Sequence, residues 1–452
     1  MGACTLDYFK KKVLVLGLAR SGMAAIKLLM KLGAEITLSE SKPKEQIEEL
    51  KWLCENGVEV IGQGDELFSR RFDIVVKNPG IPYKALFIKR LEEIGTPIIT
   101  ETELAFQTAK RQRYIAITGT NGKTTTATIT YNIFKNAFPG AAYLAGNIGV
   151  PLCEVVLREN LMEKEGRFII LEMSNFQLLH IKTFKPEIAT IINMAPDHLD
   201  YMESLDDYYK SKTLIYKNMD EDSVFIKNVD DPIIKEYMNL FPAKSKIKTV
   251  SLVSDCADFT VDENAICAYG TPVISRGDIK IAGMHNVQNI MISAAMASTA
   301  GIDFSCARKA IASFKGVEHR IEFVRKLNGV MYYNDSKSTN THATATAVKA
   351  FKEPVILLVG GHEKGLPAHG LQKELTNVKK VIGFGECAKR LSKELAGDGG
   401  IVVRTIDEAL LKAAEAAEAG DVVLLSPAAS SFDQFVSYEE RGDYFKRLVH
   451  LL

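Results

Sequence analysis

A chain of 452 residues is too long for a single hydrophobic core and calls for roughly two to four domains. The 56 Lys and Arg balance 56 Asp and Glu, which argues against a general binder of nucleic acid or of anionic membranes. No apolar run reaches the length of a membrane span, and seven cysteines without a Cys-x-x-Cys pair point to reduced thiols in the cytoplasm.

The first segment opens on the apolar run Lys12-Val13-Leu14-Val15-Leu16, followed by the turn Gly17-Leu18-Ala19-Arg20-Ser21-Gly22 and a helical pattern over residues 24–32. Strand, glycine turn and helix begin a Rossmann-like unit. The glycines allow two readings. One is a dinucleotide fingerprint weakened by Ala19 at its middle glycine; the other is close strand–helix packing alone. Residues 35–38 form the second strand, and residues 73–76 a further one that runs into Lys77-Asn78-Pro79-Gly80-Ile81-Pro82. A turn at a strand's carboxyl end is where open parallel sheets hold ligands.

In the second segment the buried run Tyr114-Ile115-Ala116-Ile117 leads into Thr118-Gly119-Thr120-Asn121-Gly122-Lys123-Thr124-Thr125-Thr126. This order makes a phosphate cradle. Glycines let backbone N–H groups face phosphate oxygens, Lys123 reaches the outer phosphates and Thr124 offers a hydroxyl to Mg²⁺. The loop is shorter than the standard one, because Ile117 stands where a glycine is usual. Two more strands end in polar residues. Residues 168–171 lead to Glu172, and residues 188–192 lead to Asn193 and Asp197-His198-Leu199-Asp200. If both run parallel to the cradle's strand, Glu172 and His198 emerge beside Lys123, where a triphosphate needs a divalent cation. Farther on, Asn286 and Asn289 share one helix face, as caps or as readers of a purine edge.

The third segment has strands at residues 355–361, 381–385 and 421–425 and helices at 389–395 and 407–419, which reads as another parallel sheet with flanking helices. Polar residues gather at its strand ends: Asn334, Asp335, Ser336, Lys337 and Thr339, then His362, Glu363 and Lys364, then Ser431. Three strand ends supplying such residues together predict a binding face.

A phosphate loop beside a metal site suits a switch, a kinase or an ATP-driven ligase. The Asn-Lys-x-Asp base reader of GTPase switches is absent. A dehydrogenase leaves the phosphate loop idle, whereas a ligase employs all three segments. The runs Gly119-Thr120-Asn121-Gly122-Lys123-Thr124, Gly146-Asn147-Ile148-Gly149, Glu172-Met173-Ser174-Asn175-Phe176-Gln177, Asp197-His198-Leu199-Asp200, His285-Asn286-Val287-Gln288-Asn289, His319-Arg320 and Asn334-Asp335-Ser336-Lys337-Ser338-Thr339-Asn340 resemble the Mur ligase family in order and spacing. Within it, the Asp335 segment and the run from Leu425 to Phe435 resemble the members that add D-glutamate to UDP-N-acetylmuramoyl-L-alanine through an acyl phosphate, in peptidoglycan precursor synthesis.

The resemblance implies an α/β protein of three domains. A Rossmann-like UDP-sugar domain covers 1–102, a P-loop-type ATPase domain with a mostly parallel sheet covers 103–315, and a Rossmann-like amino-acid domain covers 316–452. It implies ATP and Mg²⁺ as cofactors and a carbamylated lysine at Lys212, with Lys210 two residues away as the other candidate. The catalytic residues it implies are Lys123, His198, Lys212 and Arg320, with Thr124, Glu172, His198 and Lys212 at the metals. Nucleotide contacts fall on Gly119, Thr120, Asn121, Gly122, Lys123, Thr124, Thr125, Asn147, Asn286, Asn289, Arg320, Asp335 and Lys337. Substrate contacts fall on Arg20, Ser21, Asn78 and Gly80 for the UDP-sugar, on Ser174, Gln177 and His198, and on Lys337, Thr339, Lys364, Ser431 and Tyr438 for the incoming glutamate. Three positions depart from the family pattern: Ser39 stands for an aspartate, His362 for an acid and Tyr438 for a phenylalanine. Its partners are small-molecule substrates, and a cytoplasmic monomer without nucleic acid or membrane insertion is expected. A Mur-like regulator that binds ATP but ligates nothing remains a second reading from sequence.

Overall fold

The structure, a computed structural model, describes residues 8–196, 202–281, 283–363 and 368–452. Three sheets account for the expected α/β architecture. The first is parallel throughout, in the order Glu59–Gly62, Glu35–Glu40, Lys12–Leu16, Ile74–Lys77 and Ile98–Thr100. The Lys12–Leu16 strand is buried on both faces from Val13 onward, so it reads as a continuous apolar run rather than an alternation.

The helix Arg20–Lys31 starts four residues before the apolar pattern suggested. Gly22 explains the early start. A Cβ there would stand 2.0 Å from the Gly17 carbonyl oxygen, so the helix packs directly on the turn. Gly22 therefore serves close packing.

The second sheet has a parallel core in the order Val224–Asn228, Ile188–Ile191, Arg113–Thr118, Phe168–Glu172 and Ala142–Gly146. Lys246–Val250 and Phe259–Val261 extend it in parallel, and Ala265–Ala268 and Thr271–Ser275 extend it antiparallel. The third sheet departs from the wholly parallel reading. Glu322–Leu327 and Val330–Asn334 form an antiparallel hairpin at its edge, followed by Val422–Leu425, Val355–Gly360, Val378–Phe384 and Ile401–Val402 in parallel. The two-residue connection Asn328-Gly329 has positive φ at both positions, the geometry a tight hairpin requires.

The chain separates into two compact units. One comprises Met1–Ile279 with Met284–Ser313 and contains the first two sheets; the other comprises Lys280–Gly283 with Phe314–Leu452 and contains the third. Within the first unit, helix Arg20–Lys31 packs on helices Glu101–Thr108 and Leu152–Arg158, which ties the first sheet to the second. Glu101 lies inside this joint. Its carboxylate accepts from the Cys153 N–H, and burial pushes its carboxyl up from 4.5 to about 7.

In the second unit the largest fully buried side chain is Arg441. Its guanidinium donates to Ser336 Oγ (2.9 Å), to the Ser336 carbonyl (2.9 Å), to the Gly360 carbonyl (3.3 Å) and to the Ala429 carbonyl (3.1 Å). It thus joins three strand ends. Burial pulls it down to about 10, so it stays charged at neutral pH.

Folded Glu101 holds its proton between about pH 4.5 and 7, where the unfolded chain has lost it. The stability this confers is full below pH 4.5 and fades as pH rises through 7. Glu101→Gln keeps the acceptor but cannot ionise, so its melting temperature should vary less with pH across that window than the parent's; parallel profiles would contradict this. Arg441→Met leaves buried carbonyls without donors and should cost about 3 kcal/mol or more in denaturant unfolding; an unchanged midpoint would show that other donors satisfy them.

Candidate functional site

The phosphate loop begins where the Arg113–Thr118 strand ends, and helix Lys123–Ala137 starts directly after it. A second loop, after the Ile188–Ile191 strand, holds it along its length. Ile192 N–H donates to the Thr118 carbonyl and Thr120 N–H to the Asn193 carbonyl. The Asn193 side chain accepts from Asn121 N–H at 2.8 Å and donates to the Asn121 carbonyl at 3.2 Å. Thr120 Oγ1 lies 3.1 Å from the Ala195 carbonyl and 3.2 Å from the Tyr208 hydroxyl. The loop is therefore a continuation of sheet pairing, set before any ligand arrives. Asn193 had a place in the sequence reading only as a strand end; its clamp on Asn121 depends on the two loops meeting.

Gly122 has φ of +81°, and a Cβ there would stand 2.6 Å from Asn289 Oδ1. Asn289, on helix Met284–Thr299, accepts from Thr126 Oγ1 and donates to Asn286 Oδ1. The Asn289 amide thus sits against the first turn of the phosphate-loop helix, with Asn286 bonded to it. Thr124 and Thr125 are buried in that turn.

Lys123 Nζ donates to the carbonyls of Gly119 (2.8 Å) and Thr120 (2.9 Å). Lys212, buried on helix Leu205–Thr213, donates to the same Gly119 carbonyl at 3.1 Å and lies over the Tyr208 ring. The two ammonium groups are therefore within about 6 Å of each other. Lys210 is exposed and lies against Phe241 instead, so Lys212 is the lysine at the loop.

Glu172 pairs in register with Ile117 on one side and Gly146 on the other, which puts it on the loop's edge of the sheet. It is buried; Oε1 accepts from Asn147 Nδ2 at 2.9 Å, and Oε2 has no hydrogen-bond partner among the described residues. A Cβ at Gly146 would meet the Glu172 carbonyl at 2.2 Å, so only glycine lets the strands close there. The described residues hold no cluster of three or more His, Cys, Asp or Glu suited to a metal. One orphaned carboxylate oxygen near a hydroxyl-bearing phosphate loop still fits Mg²⁺, which takes one or two protein oxygens and completes its shell with phosphate and water. His198 lies outside the described residues. Ser174 and Gln177 form a reciprocal capping box, and Gln177 also donates to Thr102 Oγ1.

At the first sheet's carboxyl edge, Arg20 is exposed at the start of its helix with Ser21 beside it. Asn78 Oδ1 accepts from Gly80 N–H at 2.9 Å, which shapes the turn. Ser39 is fully buried and donates to the Gly62 carbonyl. The acid at this edge is its neighbour Glu40, whose Oε2 accepts from Leu18 N–H at 2.7 Å. Burial pushes that carboxyl up, but hydrogen bonds from Leu18, Ser41 and Lys42 outweigh it and hold it below the usual range.

In the second unit, Asp335 is buried, accepts from Ser426 Oγ at 2.7 Å and from Ile321 N–H at 3.2 Å, and is pushed by burial to about 6. Lys337 reaches toward the Tyr438 ring at 5.6 Å, and its N–H donates to the His319 carbonyl. Thr339 N–H donates to the Lys337 carbonyl, Ser431 is buried, and Arg320 is half-exposed beside His319 and Ile321, both at positive φ. His362 Nδ1 stands 2.8 Å from Glu386 Oε2. Lys364 lies outside the described residues.

Comparison with known proteins bears on both units. Residues 117–297 match the Mur ligase middle domain, and residues 319–429 match the glutamate ligase domain of Mur ligases. The chain is 40% identical to the UDP-N-acetylmuramoylalanine--D-glutamate ligase of Geobacillus kaustophilus over 99% of both chains. It is 39% identical to the ligase of that name from Lactobacillus johnsonii, over 98% of this chain and 97% of the other. The fold is similar to that of UDP-N-acetylmuramate-alanine ligase from Thermotoga maritima, with a TM-score of 0.60 at 17% identity over 98% and 99% of the two chains. It is also similar to the MurF ligase of the same organism, solved with ADP, with a TM-score of 0.59 at 15% identity over 99% and 97%. A phosphate loop clamped to a carboxylate-bearing sheet edge, with relatives matching from end to end, establishes that this chain belongs to the Mur ligase family.

Proposed function

We propose that this chain is an ATP-dependent ligase that joins the amine of D-glutamate to the L-alanine carboxylate of UDP-N-acetylmuramoyl-L-alanine. The observation that carries this reading is the end-to-end match to D-glutamate ligases at 40% identity. The phosphate loop supplies the chemistry it needs. A carboxylate is a poor electrophile, so the reaction first moves the γ-phosphoryl group of ATP onto the alanine carboxylate, and ADP leaves as the β–γ bond breaks. The D-glutamate amine then attacks the acyl carbon, a proton leaves the nitrogen, and the tetrahedral species expels phosphate to leave the amide.

In this reading Lys123 and Arg320 neutralise the charge on the transferring phosphoryl group, with backbone N–H groups from Gly119 to Thr125 around the phosphates. Thr124, Glu172, His198 and the carbamylated Lys212 would hold Mg²⁺, which would screen the phosphates and polarise the group being transferred. Glu172 is positioned for this by Asn147, and Asn286, Asn289, Asp335 and Lys337 complete the nucleotide contacts. Arg20, Ser21, Asn78 and Gly80 take the UDP-sugar, with Ser174, Gln177 and His198 near the reacting carboxylate. Thr339, Lys364, Ser431, Tyr438 and Lys337 take D-glutamate, whose two carboxylates suit lysines.

Lys212 is carbamylated in this reading. Its neutral amine attacks CO₂, a C–N bond forms, and one proton is lost to give an anion. The support is electrostatic: two ammonium groups on one carbonyl repel, and carbamylation turns that repulsion into attraction. The three-part division 1–102, 103–315 and 316–452 follows the three sheets. A cytoplasmic location accords with six described cysteines that are all free, and no described helix is long and apolar enough to cross a membrane.

Phosphate release from ATP should require both UDP-N-acetylmuramoyl-L-alanine and D-glutamate, with L-glutamate, D-alanine and L-lysine inactive. Release driven by another amino acid would reassign the acceptor pocket, and none with any pair would sink the ligase. Lys123→Ala should lower turnover on the order of 10²–10³ with the fold intact. Lys212→Ala should be slow and regain part of its rate with added acetate; full activity without acetate would reduce Lys212 to a structural lysine.

A further inference from the structure

A buried lysine lies beneath the turn to which the UDP-sugar has been assigned. Lys77 closes the Ile74–Lys77 strand, and only 1% of it is exposed. Its Nζ donates to the Ile81 carbonyl at 2.6 Å and to the Asn78 carbonyl at 3.2 Å. The turn is thus folded around an ammonium group. Asn78 N–H donates back to the Leu16 carbonyl, Ile81 N–H to the Asn78 carbonyl, and Asn78 Oδ1 accepts from Gly80 N–H. Two carbonyls of the turn face the cation.

Burying a charge is costly unless something recovers the cost. Among the described residues no carboxylate is hydrogen-bonded to Lys77, and burial pulls its ammonium down to about 8, against a smaller upward pull from Glu92. Its charge also acts on His180: burial first, then the Lys77 and Lys182 charges, pull that imidazole down to about 3, and its buried Nε2 has no hydrogen-bond partner among the described residues. A hydrocarbon side chain would fill the same space without these penalties. A buried cation with carbonyl partners only is understandable where an anion binds nearby, because at low dielectric its field reaches across the turn.

We propose that Lys77 is a positioning residue for the acceptor: its ammonium holds the Asn78–Ile81 turn in its binding shape and lends positive charge to the phosphate-bearing nucleotide sugar above it. This rests on the acceptor reading of that turn. The sequence had marked Lys77 only as the first residue of the turn, since nothing in its spacing distinguishes a buried lysine from a solvated one.

Calorimetric binding of UDP-N-acetylmuramoyl-L-alanine and, separately, of Mg-ATP tests this on the intact chain. Protonated Lys77 favours the acceptor, so parent affinity should be highest below about pH 8 and fall as pH rises toward about 9. Lys77→Met should bind the acceptor about tenfold or more weakly at neutral pH, lose that pH dependence and leave Mg-ATP affinity unchanged. Equal acceptor affinity in Lys77→Met, or a pH profile parallel to the parent's, would overturn the proposal. Should Lys77→Met fail to fold, a parent affinity that does not fall between about pH 7 and 9 overturns it equally. A parent that binds Mg-ATP but no acceptor at any pH would instead remove the acceptor reading, and this proposal with it.

Discussion

The seam between two loops is the constraint on which the rest of the first unit depends. Residues 118–121 and 192–195 prolong the pairing of two parallel strands past the end of the sheet, through Thr120, Asn193 and Tyr208. A phosphate loop must hold several N–H groups at fixed spacing around a highly charged ligand, and glycines alone would leave it floppy. Here the ordering is done during folding by a neighbouring strand's extension.

The glycines in this region answer to particular neighbours. Gly122 gives way to Asn289, and Gly146 gives way to the Glu172 backbone. The first lets a side-chain amide approach the phosphate loop more closely than any Cβ would permit, and the second lets two strands close beside it. Around that loop two lysines converge on the Gly119 carbonyl, and among the described residues the orphaned carboxylate oxygen is that of Glu172. Anionic phosphates suit the two ammonium groups, and a divalent cation suits the carboxylate oxygen.

A common pattern runs through all three sheets. Each has an almost fully buried ionisable residue at or just past the carboxyl end of a strand: Lys77 in the first, Glu172 in the second and Asp335 in the third. Strand carboxyl ends are where parallel sheets open to ligands, so charge stored there acts on whatever binds above. In the third sheet the storage is elaborate. Arg441 gathers three strand ends by their carbonyls, while Asp335 ties Ser426 to the backbone of Ile321.

Local sequence was enough to determine the strand–turn–helix units, the phosphate loop and the order of the segments, because apolar runs, glycine turns and helix starts are short-range properties. The hairpin at residues 322–334 escaped notice, since its half-exposed strands lack a strong apolar run. Single chemical groups were legible where a motif surrounded them, as with Lys123 and Glu172. Ser39 and Glu40 show the limit: neighbours in sequence, they face opposite environments, and the strand's alternation together with the packing of Leu18 decides which one is the acid at the edge. Lys210 and Lys212 differ in the same way, since helix rotation against the phosphate loop buries one and exposes the other. Asn193, Arg441 and Lys77 became visible only in three dimensions, because each acts on backbone groups from another turn or strand end, and such partners leave no trace in residue type or spacing.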